Sequence, residues 1–399
     1  MDLSGQVIDG KYELVSIAGE GGMATVYKAR VRGAAGFQRA VAVKHIRPEY
    51  RALKNYIDMF IEEARVGSEL AHPNIVQVHD FVSETGSYYL VMEWVEGIDV
   101  GAFIKAYRDA HHDVPWTLAV LIGIGTLQGL GAAHERIGPD GTPSPVIHRD
   151  VSPHNILLGV NGVVKLSDFG LARARDRAGS LTAPGTVKGK LSYLAPEVTF
   201  GKPNTVQSDL FGVGSVIWEM LTGDRLFDGR TDIEIFKKIR ACQIPPIGQR
   251  RPDVPPALAS VLEKSLAADP GSRFATAEEF GQELSQILKR AVDTTTASTL
   301  AAAVVAARKG LTPDDKQPDD RSSGESQADA KPSVERPSSI NTDNMPTTQH
   351  AVLGESIEIT LESSSQLQMT VPGIKRPEPD KPDEPDDPDS PDKPDEPKP

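Results

Sequence analysis

Residues 148–155 read His148-Arg-Asp-Val-Ser-Pro-His-Asn155, and downstream the chain carries Asp168-Phe-Gly170 and Ala195-Pro-Glu197. Toward the N-terminus, Val41-Ala-Val-Lys44 puts a lysine on a predicted strand, with Glu63 on the predicted helix after it. Before them, Gly19-Glu-Gly-Gly-Met-Ala-Thr-Val26 follows one predicted strand and opens another. Glycines in such a turn let backbone N–H groups approach phosphate oxygens with no Cβ in the way. A lysine buried near phosphates needs a partner to fix its ammonium, and a helix carboxylate supplies one. Taken singly these are weak signals. Glycine-rich hairpins are common, and a lysine and a glutamate chosen at random form at most a surface ion pair.

The surrounding pattern divides the chain into two unlike parts. From Tyr12 to about Tyr89, short β-branched or aromatic runs bounded by Gly or polar turns predict strands over Tyr12–Ile17, Thr25–Arg30, Ala40–Ile46 and Val76–Phe81. One helical period interrupts them over Tyr56–Leu70, with apolar residues at Ile57, Phe60, Ile61, Ala64 and Leu70. After Gly97 the chain becomes mainly helical, over 100–111, 117–136, 207–221, 233–240, 256–267 and 277–290. Asp269-Pro270 stops one helix, because Pro cannot continue it and restricts its predecessor. Residues 139–145, with three prolines, read as a surface turn. A small β-rich lobe followed by a larger helical lobe places the ligand cleft between the two.

Composition separates a third region. A length of 399 residues suggests two or three domains at ~100–200 residues each, but the last aromatic is Phe280 and the final 119 residues have none. Residues 311–399 hold 21 acidic and 9 basic residues, a net of −12, against −1 for residues 1–310. With 15 prolines and little branched apolar content, that stretch offers too little burial to offset ordering entropy, so a disordered acidic tail is expected. From Pro379 it repeats Pro-Asp-x, a three-residue period matching polyproline II, which acidic repulsion would extend further. A solubilising spacer is the reading adopted, with a docking segment as the alternative. Ser356–Leu361 alternates polar and apolar residues, which suits either a short strand on a partner's sheet edge or no role at all. The expected division is therefore a domain over 12–290, a short linker over 291–310 with helical potential, and the tail over 311–399. One cysteine, Cys242, excludes a disulfide framework and a cysteine zinc site. The N-terminus lacks a signal-peptide pattern. The longest low-polarity run is taken as Leu300–Ala307, short of the ~20 residues a membrane helix needs. A near-neutral folded part argues against nucleic-acid partners. A cytoplasmic location is expected.

The ordered set of motifs resembles the bacterial eukaryotic-like Ser/Thr protein kinases over Tyr12 to about Arg290. The resemblance implies an α+β, bilobal protein-kinase fold with a small β-rich N-lobe and a larger helical C-lobe, and transfer of the ATP γ-phosphate to protein Ser/Thr hydroxyls with Mg²⁺ as cofactor. It implies that Gly19, Gly21 and Gly22 cover the phosphates, and that Lys44 holds them while paired with Glu63. Val26 and Ala42 would roof the adenine, Leu157 would floor it, Met92 would guard the back pocket, and Glu93-Trp-Val95 would supply hinge backbone groups. Asp150 would accept the hydroxyl proton, and Asn155 and Asp168 would bind Mg²⁺. Asp209 would cap the catalytic loop, and Glu197 would pair with Arg273. Arg149 would await an activation-segment phosphate. The segment from Asp168 to Glu197 offers Ser180, Thr182, Thr186 and Ser192; Ser180, Thr182 and Thr186 are the candidate phosphosites, and Thr186 stands eleven residues before Glu197, where the family's primary site usually falls.

Three positions depart from the family pattern. Ala24 replaces the third loop glycine and should weaken the closest approach of backbone to phosphate. Ser152 stands where Ser/Thr kinases carry a catalytic-loop lysine, and Lys190 stands where a threonine is expected. We read Ser152 and Lys190 as a swapped pair, Lys190 supplying the missing charge; the alternative is a solvated Lys190 and lower activity. The catalytic loop lacks the Ala-Ala-Arg pattern of Tyr kinases. The competing function is an ATP-binding pseudokinase scaffold acting through the tail, which would not need to keep Lys44, Glu63, Asp150, Asn155 and Asp168 together.

Overall fold

The computed structural model describes residues 2–169, 190–292 and 294–310. Ser180, Thr182 and Thr186 lie outside those residues, as do the acidic tail and the side chain of Lys190. An antiparallel sheet comes first, built from β1 (Val7–Ile8), β2 (Tyr12–Glu20), β3 (Ala24–Arg32), β4 (Gln38–Ile46), β5 (Val78–Glu84) and β6 (Ser87–Glu93). Its order is β1-β2-β3-β4-β6-β5. The two-residue period of β4 explains how the sheet covers two cores. Val41 and Val43 face Leu14, Tyr27 and Tyr89 on one side. Ala42 and Ile46 face Leu90, Met92 and Phe60 on the other, Phe60 coming from α1 (Lys54–Glu69).

The sheet curls until its far ends meet. Asp80 on β5 accepts from Tyr12 Oη at 2.6 Å and from Lys11 Nζ at 3.0 Å, and Glu84 accepts from Asp9 N–H at 3.2 Å. Right-handed strand twist makes such closure available. The strand expected over Val76–Phe81 begins two residues later, at Val78. Val76 instead donates its N–H to Leu166 O at 2.9 Å, so Ile75 and Val76 pair with the second lobe rather than the first.

The second lobe opens with a small sheet of β7 (Gly97–Asp99), β8 (Ile156–Gly159) and β9 (Val164–Leu166). Helices α2 (Val100–Asp109) and α3 (Trp116–His134) follow β7. Beyond the described gap come α4 (Pro196–Thr199), α5 (Val206–Thr222), α6 (Asp232–Ala241), α7 (Ile247–Arg250), α8 (Pro256–Ser265), α9 (Ala277–Lys289) and α10 (Ala297–Arg308). Helix α3 corrects the reading of low-polarity runs, because an eighteen-residue window of its nineteen residues has a mean hydropathy of 1.5 and is apolar enough to cross a membrane. It is apolar all round because it is the central core helix, packed on α5, α9 and β9. Gly123 allows the close approach to α5: a Cβ there would stand 2.7 Å from Ile217 Cδ1. Helix α10, in the stretch read as a linker, buries Leu300, Ala303, Val304 and Ala307 in the same core.

Candidate active site

Helix α1 and strand β4 bring together what the sequence separates. Lys44 Nζ donates to Glu63 Oε1 at 2.6 Å and to Asp168 Oδ1 at 2.8 Å. Lys44 and Glu63 are 4% and 3% exposed, so the pair is a buried one and not the surface pair that chance would give. Burial alone would depress the ammonium, but the Asp168 and Glu63 carboxylates outweigh it and hold Lys44 above the ordinary lysine range. The Glu63 carboxyl is pushed up to about 7, chiefly by burial and against the attraction of Lys44. Its Oε2 has no hydrogen-bond partner among the described residues.

The catalytic-loop segment is fixed from below. Asp209, at the start of α5, accepts from His148 N–H and Arg149 N–H, both at 2.8 Å, and meets His134 Nε2 at 2.9 Å. That leaves Arg149 in the left-handed region (φ 69). Asn155 Nδ2 donates to Asp150 O at 2.7 Å and to Asp150 Oδ2 at 3.0 Å. Asp168 also has positive φ (63), a conformation that persists only when surroundings over-determine it. Here the His148 ring stands edge-on to Phe169 at 4.6 Å, and His148 Nε2 meets Ser167 O at 2.9 Å.

The expected adenine-facing residues share one cluster: Ala42 and Met92 are buried in it, with Val26, Val95 and Leu157 packed alongside. Glu93 sits at the end of β6, its carboxylate 2.8 Å from Lys165 Nζ. In the glycine turn, Gly21 N–H donates to Ala24 O at 2.8 Å, and Cβ atoms built on Gly19 or Gly22 would meet nothing within 4 Å. Ala24 is 4% exposed and opposes Ile46 across the β3–β4 ladder, two residues before Val26 and so on the same strand face.

The donor set suits a hard cation shared with phosphates. Among the described residues both side-chain hydrogen bonds of Asn155 use its amide nitrogen, leaving the amide oxygen, and Asp168 adds a carboxylate. Magnesium is bound by one or two such groups plus substrate phosphates and water. Among the described residues no cluster of three or more His, Cys, Asp or Glu forms a self-sufficient metal cage.

Arg273 and Glu197 meet as a bidentate pair at 2.8 and 2.7 Å. Ser152 is buried, with no partner for Oγ among the described residues. The sequence reading missed Glu96, which receives Lys28 and Trp94, as well as His134 and Lys165. Their partners lie far along the chain or just past the hinge, and no local period marks them.

A curled small-lobe sheet, a helical large lobe, and a lysine meeting two carboxylates have the arrangement of a protein-kinase domain. The chain belongs to the protein kinase family, whose domain model matches residues 12–284. It is 37% identical over 279 residues to the tyrosine-protein kinase MasK of Myxococcus xanthus, covering 70% of this chain and 43% of MasK. It is 34% identical over 282 residues to the serine/threonine-protein kinase PrkC of Bacillus subtilis, covering 71% and 41%. The kinase domain of PknI from Mycobacterium tuberculosis superposes with a TM-score of 0.53 at 26% identity, covering 72% of this chain and 99% of that domain. The matched region thus spans less than half the length of those curated relatives.

Proposed function

We propose that this chain transfers the γ-phosphate of ATP to Ser and Thr hydroxyls of proteins, its own activation segment included. The observation that carries the reading is the Lys44 ammonium held at once by Glu63 and Asp168. In this reading the glycine turn and Lys44 bind the triphosphate, and Val26, Ala42 and Leu157 enclose the adenine against the backbone of Glu93 and Val95. Met92 closes the back of that space. Asp150 accepts the acceptor hydroxyl's proton on its carboxylate, which Asn155 Nδ2 aims from 3.0 Å. Asp168 and Asn155 would hold Mg²⁺, whose charge neutralises the phosphate oxygens when it is bound. Catalysis of this kind is mostly positioning and charge stabilisation, the contributions a rigid cleft can make.

Phosphorylated Thr186 would dock on Arg149, with Thr182 and Ser180 as further sites and Lys190 covering for the lysine absent at Ser152. The catalytic domain is taken as 12–290 and the tail as a spacer. Protein substrates and a cytoplasmic location belong to the same proposal, since ATP is the phosphate donor. The decisive experiment incubates the protein with labelled ATP and Mg²⁺ and maps the modified residues. Phosphate on Ser and Thr, Thr186 foremost, is expected. Label confined to tyrosine would move the acceptor class to the one in MasK's name, and ATP binding without transfer would make the chain a pseudokinase scaffold.

A further inference from the structure

Just past the hinge, one carboxylate gathers donors from three parts of the molecule. Glu96 Oε2 accepts from Trp94 Nε1 at 2.8 Å and from Lys28 Nζ at 3.1 Å, and Glu96 Oε1 accepts from Arg308 Nη2 at 2.7 Å. The Lys28 ammonium also stands 4.8 Å over the Trp94 ring. The Glu96 backbone is held as well, its carbonyl accepting from Val160 N–H at 2.8 Å. Hydrogen bonds from Trp94, Lys28 and Arg308 keep this carboxyl well down, at about 2, so it is charged at any working pH.

Arg308 ends α10, a helix beyond the end of the family match at residue 284. Both ends of α10 are pinned. At its start, the Thr296 cap is reciprocated by Thr299, and the Ala297 carbonyl lies against Gly162. Gly162 has φ +79, and a Cβ there would fall 1.8 Å from Ala297 O, so only glycine permits this seating. Between the ends, the buried face of α10 anchors it to α2, β7 and β8. Arg308 is thus held by the large lobe while its guanidinium reaches the hinge.

We infer that Glu96 is a positioning residue for the ATP site and that α10 braces it through Arg308. The inference rests on the proposed use of the cleft for ATP. Lys28 sits two residues from Val26 on β3 and opposite Ala42 on β4, the two roof residues. Trp94 lies between Glu93 and Val95, whose backbone faces the adenine. Glu96 therefore sets the roof relative to the hinge, and Arg308 sets Glu96 relative to the large lobe. Exposed ion pairs contribute little stability singly, so the brace should show in ligand affinity rather than in unfolding temperature.

The test uses the full chain, measuring KM and kcat for ATP, the calorimetric Kd for Mg·ATP, and Tm. Arg308→Ala is expected to raise KM and Kd about three- to tenfold with kcat within about twofold, Arg308→Lys to recover most of that, and Tm to stay put. Glu96→Gln should act likewise, and the double variant should be no worse than Glu96→Gln alone. A Kd within twofold of wild type for Arg308→Ala, or additive effects in the double variant, would overturn the brace. If the protein binds ATP but transfers no phosphate, the kinase reading fails while the Kd comparison still decides the inference.

Discussion

Arg273 spends all five of its guanidinium donors within the large lobe, two of them on Glu197, 76 positions away in sequence. The others go to the carbonyls of Ala267, Gln207 and Ala268. The pair locks α4, which carries Glu197, to the loop before α9. Removing one partner strands a buried charge, so Arg273→Ala should destabilise the fold by ~3–5 kcal/mol. Arg273→Lys should recover little of it, because an ammonium cannot reproduce the fork. Denaturant unfolding checks both; a Lys variant as stable as wild type would contradict this account.

Asp168→Asn should abolish Mg²⁺-dependent transfer and leave the fold standing, since the Asp168 side chain is 28% exposed and outside the core. Lys44→Met should also lose transfer, but with some loss of stability, because Glu63 is left buried without its cation. Phosphotransfer to a generic protein substrate alongside Tm separates the two effects. Wild-type turnover by Asp168→Asn would end the metal assignment.

With the Glu63 carboxyl at about 7, the Lys44–Glu63 contact is an ion pair above neutrality and a neutral-acid hydrogen bond below it. The charged form holds Lys44 and α1 more firmly. The kcat/KM for ATP should therefore rise between about pH 6 and pH 8, with an apparent midpoint near 7 that belongs to the coupled pair. Glu63→Gln should be slower and flat across that range. An unchanged acid limb in Glu63→Gln would show that another group titrates.

If Lys190 replaces the lysine absent at Ser152, Lys190→Ala should lower turnover by ~10²–10³, the worth of one transition-state donor. Ser152→Lys combined with Lys190→Thr should recover much of that loss. The buried Ser152 Oγ, without a partner among the described residues, leaves a polar position for such a group. An additive double-mutant cycle would dispose of the exchange.

Most of the candidate site's residues were legible because they lie in contiguous motifs, and Lys44, Glu63 and Asp168 meet where the motif order implied. The long strands and amphipathic helices were legible for the same reason: β4 alternates and α9 carries one apolar stripe. Strands β7 to β9 were not, since three or four residues display no period. Helix α3 was legible as a helix over 117–136, but its central position was not, because a helix that is apolar on nearly every face carries no single stripe to show which side is buried. The seating of α10 was hidden because a short alanine-rich run reads as a linker with helical potential, and its buried face of Leu300, Ala303, Val304 and Ala307 shows only in the packing. Glu96 was invisible because two of its three partners lie 68 and 212 positions away, and the third, Trp94, forms no local period with it.

The enclosure of α3 has a consequence during synthesis. Its last packing partner, α9, begins at Ala277, about 140 residues after α3 ends at His134. At ~5–20 residues per second, the ribosome takes roughly 7–30 s to deliver it. Through that interval a nineteen-residue helix apolar enough for a bilayer span lacks its full packing surface, because only β9 and α5 among its partners precede α9. The nascent chain is therefore expected to engage holding chaperones at this segment more than at an amphipathic one, and shortening the delay by circular permutation between α3 and α9 should lessen that engagement.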